Sequence, residues 1–267
     1  MSTRIAMIGA GGRMGRAIVR TIAEGKTSKL TAAVERAGSP ELGQDAGTLA
    51  GIAALGVALQ AQHPQTGDAD VWIDFSSPAS TVANVKAAAA AGVRIVVGTT
   101  GLSSEDKKVI ADASAIIPVV FAPNTSLGVT VLLKLVADAA RALGPGYDIE
   151  IVEAHHRMKR DAPSGTALRL AEAAAEATGR DLGATARYAR HGDVGPRTSE
   201  EIGIQTIRGG DVVGDHTVFF LGLGERVEIT HRASSRDTFA RGAVRAAEWL
   251  AGKGPGLYDM RDVLGLV

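Results

Sequence analysis

The sequence predicts an α/β protein in two parts: a parallel β-sheet domain covered by helices, then a second α+β domain with a mixed or antiparallel sheet. Three observations carry this. Short apolar runs alternate with helical stretches through the first half, the pattern of a parallel sheet wrapped on both faces. A glycine-rich turn lies at the first strand–helix junction. After about residue 126 the order changes to helix, strand, helix and then a run of strands.

Taken in order, "RIAMIG" is a short apolar run suited to a buried strand, and "RMGRAIVRTIAEG" follows with helical spacing and stops at Gly25. "LTAAVE" and "ADVWIDFSS" read as the next strands, and a helix starts near Pro78. "VRIVVGTTG" and "IIPVVFAPN" repeat the strand pattern around the helix "SSEDKKVIADAS", where Ser103 or Ser104 caps and acids fill the first turn. "SLGVTVLLKLVADAARAL" is a long helix. "YDIEIVEAHH" is an alternating strand, with Ile149, Ile151 and Ala154 set against Glu150 and Glu153. "SGTALRLAEAAAEATG" is helical, and 184–199 reads as loop. "EIGIQTIRGG", "DHTVFFLGLG" and "ERVEITHRAS" look like three antiparallel strands joined by glycine-containing turns. The last helix, "DTFARGAVRAAEWLAG", can pack back on the first domain. The expected boundaries are 1–126 with 240–267, and 127–239.

Composition removes several classes of function. Lysine plus arginine equals aspartate plus glutamate at 29 each, which gives no support for a nucleic-acid partner. There is no cysteine, hence no disulfide, thiolate metal site or cysteine nucleophile. No uncharged apolar run is long enough to span a bilayer, and "RIAMIGAGG" begins almost at once without a leader-like stretch. The expectation is a soluble, cytoplasmic protein with no membrane partner.

"GAGGRMG" departs from the usual G-x-G-x-x-G dinucleotide fingerprint, because Met14 takes the place of the last glycine. Gly9, Gly12 and Gly15 instead recur at spacing three, joined by Gly11. Together they permit close approach to a pyrophosphate and tight helix–strand packing, and the helix start offers N–H groups to phosphate. Glu35 ends the second strand roughly 20 residues on, where a carboxylate accepts the ribose hydroxyls. The next residue, Arg36, suits a 2′-phosphate. A Rossmann-like domain using NADH or NADPH follows. "GTTG" (98–101) and "APNTS" (122–126) lie at strand ends, where ligands of open α/β sheets bind.

"EAHHRMKRDAPSGTAL" (153–168) concentrates the polar chemistry. His155 and His156 are adjacent on a strand end and diverge. No H-x-x-x-H spacing occurs, and His63, His191, His216 and His231 are scattered, so no metal is expected. "PSGT" is a capped helix start: Ser164 caps, and Gly165 and Thr166 supply N–H groups. Beside Lys159 and His156 it favours a carboxylate or phosphate. Histidine and lysine close to a bound anion are suitable proton donors.

These stretches, the 153–168 window above all, resemble dihydrodipicolinate reductase, also called 4-hydroxy-tetrahydrodipicolinate reductase. The resemblance runs from the first strand nearly to the last residue. It implies reduction of a cyclic dicarboxylate on the route to diaminopimelate and lysine, with NADH or NADPH. It implies His155 as general acid/base, Lys159 as a second proton donor, and His156 with Gly165 and Thr166 on the substrate carboxylates. Gly9, Ala10, Gly11, Gly12, Arg13, Met14, Glu35, Arg36, Gly98, Thr99, Thr100, Ala122, Pro123, Asn124 and Thr125 are implied at the cofactor. Thr125 stands where many members carry a bulkier Phe or Met. A homotetramer assembled through the second domain's sheet is implied as well. Two rival readings are another two-domain NAD(P)-dependent oxidoreductase and a non-catalytic dinucleotide-sensing module.

Overall fold

The computed structural model describes residues 2–266. They form two compact units: one runs to Leu127 and resumes at Asp237, and the other is Gly128–Arg236.

In the first unit the chain runs β1 (Thr3–Ile8), α1 (Arg13–Glu24), β2 (Ser28–Val34), α2 (Ala46–Leu49), β3 (Leu59–Gln60), β4 (Val71–Asp74), α3 (Pro78–Ala91), β5 (Arg94–Val97), α4 (Ser104–Ser114) and β6 (Pro118–Phe121). The second unit follows with α5 (Leu127–Leu143), β7 (Asp148–His155), α6 (Gly165–Thr178), α7 (Leu182–Thr185), β8 (Ala186–Arg187), β9 (Ile202–Arg208), β10 (Gly214–Leu221) and β11 (Arg226–Ala233). The first unit is completed by α8 (Asp237–Leu250), β12 (Gly256–Tyr258) and α9 (Met260–Leu264).

The first sheet has the order β12-β6-β5-β4-β1-β2-β3 with parallel pairing throughout. Its strands are apolar on both sides because helices cover both. Ile5 and Met7 of β1 face α1 and α8, packing with Ile18, Ile22, Ala243 and Leu250. Ala6 and Ile8 face the other way, with Trp72, Val85 and Ile110. Local signals set the helix ends. Ser77 caps α3 with Pro78 in the first turn and Gly92 in the left-handed conformation after it. A reciprocal Ser103–Asp106 capping box opens α4. The sheet order reverses at β1, which lies between β2 and β4. A crevice opens at such a reversal beyond the strands' carboxyl ends, and the glycine loop sits there.

The second sheet has the order β11-β10-β7-β9-β8. One face packs on α5 and α6, joining Ile149, Ile151, Ile202, Ile204, Val218 and Phe220 to Leu132, Val136, Leu170 and Ala174. Two expectations are corrected here. The last three strands are not a simple antiparallel run, since β9 pairs parallel with β7 while β10 pairs antiparallel with its other edge. The turn after Arg208 therefore passes around the end of β7. It is tied there by Gly209 N–H donating to His155 O at 3.0 Å and Arg157 N–H to Gly210 O at 3.2 Å. The strand β7, buried at every second residue, takes the centre, where both its edges are paired.

The second correction concerns the faces of β7. Glu153 does not point outward opposite Ile149 and Ile151; it shares their buried face, together with His155. Alternation by two places all four odd-numbered residues on one side. A carboxylate is tolerated on that side because its oxygens accept five hydrogen bonds.

Candidate active site

In the first unit, Gly9 adopts φ +82° directly after β1, a conformation that glycine adopts without strain. At Gly15 an added Cβ would come within 2.1 Å of the Gly9 carbonyl oxygen, so the first turn of α1 packs directly on the loop. Gly12 caps α1 without any side-chain hydrogen bond, leaving the helix start open to an anion.

Two clefts meet at this loop, sharing Gly12, Phe75 and Ser76. The larger, about 710 Å³, runs past Gly9 and Gly11 to Glu35 and Arg36 and is flanked by Ser39, Glu41, His63 and Asn84. The other, about 480 Å³, runs past Arg13 and Met14 to Gly98, Thr99, Thr100, Pro123 and Thr125, with Phe239 of α8 beside them. Glu35 accepts from Gly11 N–H at 2.9 Å and from Arg36 N–H at 3.0 Å. Glu41 pairs with Arg16, whose Nε donates to Gly11 O. Ala10 and Ala122 are buried in the core, and Asn124 turns its Oδ1 to Ser126 N–H at 2.9 Å.

A nicotinamide dinucleotide fits this arrangement on two counts. The clefts extend both ways from an open helix start. Thr99 Oγ1 is buried in one of them without a hydrogen-bond partner among the described residues, and a buried hydroxyl of this kind calls for one. Behind the larger cleft, His63 stacks on Trp72 and bonds to Asn84 Oδ1, and Asn84 donates to Asp74 Oδ1. Burial raises the Asp74 carboxyl above the usual range, against the hydrogen bonds from Ser76 and Asn84. Sequence reading missed Ser39, Glu41, His63 and Asn84, which sit in loop and helix positions without a motif.

In the second unit, β7 ends at His155 and the chain turns through His156 and Lys159 to the start of α6. Lys159 pairs with Asp161 at 2.8 Å, and Lys159 holds the Asp161 carboxyl below its usual range. The Ala162–Pro163 peptide is cis. Ser164 caps α6 by accepting from Ala167 N–H at 3.1 Å, and Gly165 lies exposed in its first turn. His155, Lys159 and Ser164 are thus brought to one end of the sheet, with half-buried His156 next in the chain to His155.

At the centre lies Glu153, with no exposed surface. Its oxygens accept from His155 Nδ1 at 2.6 Å, Ser164 N–H at 3.0 Å, Thr206 Oγ1 at 3.1 Å, and Arg208 Nη1 and Nη2 at 2.8 Å each. Burial works to raise this carboxyl, but the Arg208, His155 and Ser164 hydrogen bonds outweigh it and take it from 4.5 to about 2. A pKa below the ordinary one stabilises the fold above about 4.5, and the effect is lost as pH falls through about 2. That difference corresponds to about 3 kcal/mol. We expect the stability gap between wild type and Glu153→Gln to shrink by that amount from neutral pH to pH 2, read by denaturant unfolding across the range.

His155 is depressed by burial, against the pull of Glu153, with Lys159 and Arg208 adding to the depression. His216 lies edge-on to it at 5.2 Å between ring centres, with Nε2 3.2 Å from Ser164 Oγ. Burial first, then the neighbouring His155, takes His216 down to about 4. The His231 ring follows at 6.4 Å. Histidines scattered along the chain therefore cluster in space. Among the described residues no group of three or more His, Cys, Asp or Glu is placed to hold a metal ion. Sequence reading also missed Glu153, Arg208 and His216. The available signal was Glu153 lying two residues before His155 on one strand.

A parallel sheet that reverses order at a glycine-rich β1–α1 turn, with a carboxylate at the end of β2, defines a dinucleotide-binding protein. Residues 3–125 match the family model for the dihydrodipicolinate reductase N-terminus, and residues 128–264 that for its C-terminus. The chain belongs to the dihydrodipicolinate reductase family. It is 57% identical over 265 residues to the 4-hydroxy-tetrahydrodipicolinate reductase of Anaeromyxobacter dehalogenans (strain 2CP-1 / ATCC BAA-258), covering 99% of this chain and 98% of that protein. The reductase of the same name from Hahella chejuensis (strain KCTC 2396) is 53% identical over 265 residues, with 99% of each covered. Among solved structures, the fold is similar to dipicolinate-bound dihydrodipicolinate reductase from Paenisporosarcina sp. TG-14, with TM-score 0.77, 24% identity and coverage of 97% and 98%.

Proposed function

We propose that this protein is a 4-hydroxy-tetrahydrodipicolinate reductase, converting the hydroxylated ring to tetrahydrodipicolinate in diaminopimelate and lysine biosynthesis with NADH or NADPH. One observation carries the residue assignment: His155, Lys159 and the capped start of α6 share one end of the second unit's sheet. A dicarboxylate needs a cationic subsite and an N–H-rich one. Lys159 and His156 supply the first, and Gly165 and Thr166, opened by Ser164, supply the second.

Bound NADH or NADPH supplies the hydride. Gly9 to Met14 would cradle its pyrophosphate, Glu35 and Arg36 would take the adenosine ribose, and Gly98 to Thr100 with Ala122 to Thr125 would border the nicotinamide. Hydride addition to a conjugated imine places electron density on the ring. In this reading the Lys159 ammonium stabilises that charge as it develops, and His155 delivers the proton. The hydroxyl leaves as water, so the substrate plus NAD(P)H and one proton gives tetrahydrodipicolinate, NAD(P)⁺ and water.

The test is NAD(P)H oxidation with substrate generated enzymatically in the cuvette. Rapid oxidation that depends on that substrate is expected; binding of NADPH without turnover would instead support a sensing module. Arg36→Ala is expected to weaken NADPH roughly tenfold or more, the scale of a lost hydrogen bond to a charged group, while NADH affinity holds. Equal losses in a titration of the two cofactors would exclude a 2′-phosphate role for Arg36. Assembly as a homotetramer through the second unit's sheet belongs to the same reading. It is supported by the face away from α5 and α6, where Val152, Ala154 and Phe219 are only half-buried and Ile207 is exposed. Light scattering at the mass of four chains tests it.

A further inference from the structure

We propose that Glu153, clamped by Arg208, is a positioning residue for this reduction: it fixes one His155 proton on Nδ1 and leaves Nε2 as the atom that handles the reaction's proton. The inference rests on His155 as the proton donor. It adds the device that sets which nitrogen acts and how firmly that nitrogen holds its proton.

The geometry gives the tautomer. An ionised carboxylate can only accept hydrogen bonds, so the 2.6 Å contact between Glu153 Oε2 and His155 Nδ1 requires the hydrogen on Nδ1. The opposite edge of the imidazole, Nε2, points toward β10 at Gly214, where an added Cβ would come within 3.1 Å of it. Glu153 is itself immobilised by four other donors, from Ser164, Thr206 and the two Arg208 nitrogens. Arg208 meets it end-on through Nη1 and Nη2, and Nη2 also donates to Asp161 O at 2.7 Å. The carboxylate has no exposed surface and no rotameric freedom to follow the ring. A carboxylate held this rigidly orients an imidazole, as carboxylates do behind metal-bound histidines.

The charged and titratable groups facing His155 come from each neighbouring element. They are Glu153 on β7, Arg208 at the end of β9, His216 on β10 and Lys159 in the turn after β7. Their signs predict opposite responses. Glu153→Gln preserves an acceptor for Nδ1–H but removes the negative charge, so His155 holds its proton less firmly. Arg208→Gln removes a cation facing His155, so His155 holds its proton more firmly. A packing role for the pair would produce no such opposition.

The experiment is imidazole ¹⁵N NMR on the full-length protein without substrate, with His155 assigned by the signal lost in His155→Asn. The neutral wild-type ring is expected to be protonated at Nδ1. Its titration midpoint is expected to move to lower pH in Glu153→Gln and to higher pH in Arg208→Gln. In turnover, the loss of activity on the alkaline side is expected to move with the NMR midpoint. For Glu153→Gln, kcat is expected to fall by roughly tenfold or more, as for partners that orient metal-bound imidazoles, with KM changed less. A neutral ring protonated at Nε2, or midpoints unmoved in both variants, would overturn the proposal. If Glu153→Gln fails to fold, the Arg208→Gln midpoint and the wild-type tautomer decide alone. The NMR readout needs no substrate, so failure of the reductase reading and failure of this inference are separately visible.

Discussion

Alanine at His155 or at Lys159 is expected to reduce kcat by about 10²–10⁴-fold, the range for a positioned proton-transfer group. NADH and NADPH affinities should remain, because the glycine loop, Glu35 and Arg36 belong to the first unit. The two losses should differ in their pH dependence. Burial depresses His155 and Lys159 and Arg208 add to that, against the pull of Glu153. A dianionic substrate reverses part of the depression by favouring the charged imidazolium. Wild-type turnover should therefore decline as pH rises through the His155 midpoint, when the proton to be delivered is lost. Lys159→Ala should keep that alkaline decline at a much lower rate, since it removes charge stabilisation. His155→Ala should abolish it. If Lys159 supplied the proton, the decline would persist in His155→Ala. The double variant should lose little more than the worse single variant, because groups serving one transition state act as a unit.

The parts of this protein legible from sequence are those where one local rule governs. Alternating apolar runs gave β1, β2, β4, β5 and β6, since a strand buried on both faces needs only length and apolarity. Proline and serine punctuation gave the helix starts near Pro78, at Ser103 as one of two candidate caps, and at Ser164. The window around His155 was legible because its chemistry is contiguous. What escaped depends on pairing across distance. The two- and three-residue strands β3, β8 and β12 carry no periodicity of their own and exist through their neighbours. The placement of β7 between β9 and β10 is a tertiary choice that the Arg208-Gly209-Gly210 turn permits but does not announce. Glu153 was set on the wrong face because a carboxylate argues for solvent. Arg208, 55 residues away, makes its burial favourable together with His155, Ser164 and Thr206.

The same long-range logic governs a second expected effect on stability. In α8, Gly242 packs on the loop after β6: an added Cβ would lie 1.6 Å from the Thr125 carbonyl oxygen and 2.7 Å from its carbonyl carbon. Thr125 Oγ1 also donates to Phe239 O at 2.7 Å, so the helix and loop are joined at two points. Replacing glycine by alanine inside a helix ordinarily stabilises by up to about 1 kcal/mol. Here the obstacle is backbone, which cannot change rotamer, so overpacking at the upper end of about 1–3 kcal/mol opposes that gain. A net loss of about 2 kcal/mol would lower Tm by roughly 4–8 °C for a unit of this size. Thr125, Pro123 and Phe239 border the cleft beside Gly98 to Thr100, so Gly242→Ala should weaken cofactor binding together with stability. Gly252→Ala is the control, since nothing lies within 4 Å of its added Cβ. Thermal unfolding of the two variants, followed by NADH titration at a temperature where both are folded, separates the effects. A Gly242→Ala protein as stable as wild type would show that α8 and the Thr125 loop move apart freely, and the cleft would then owe nothing to the closing helix.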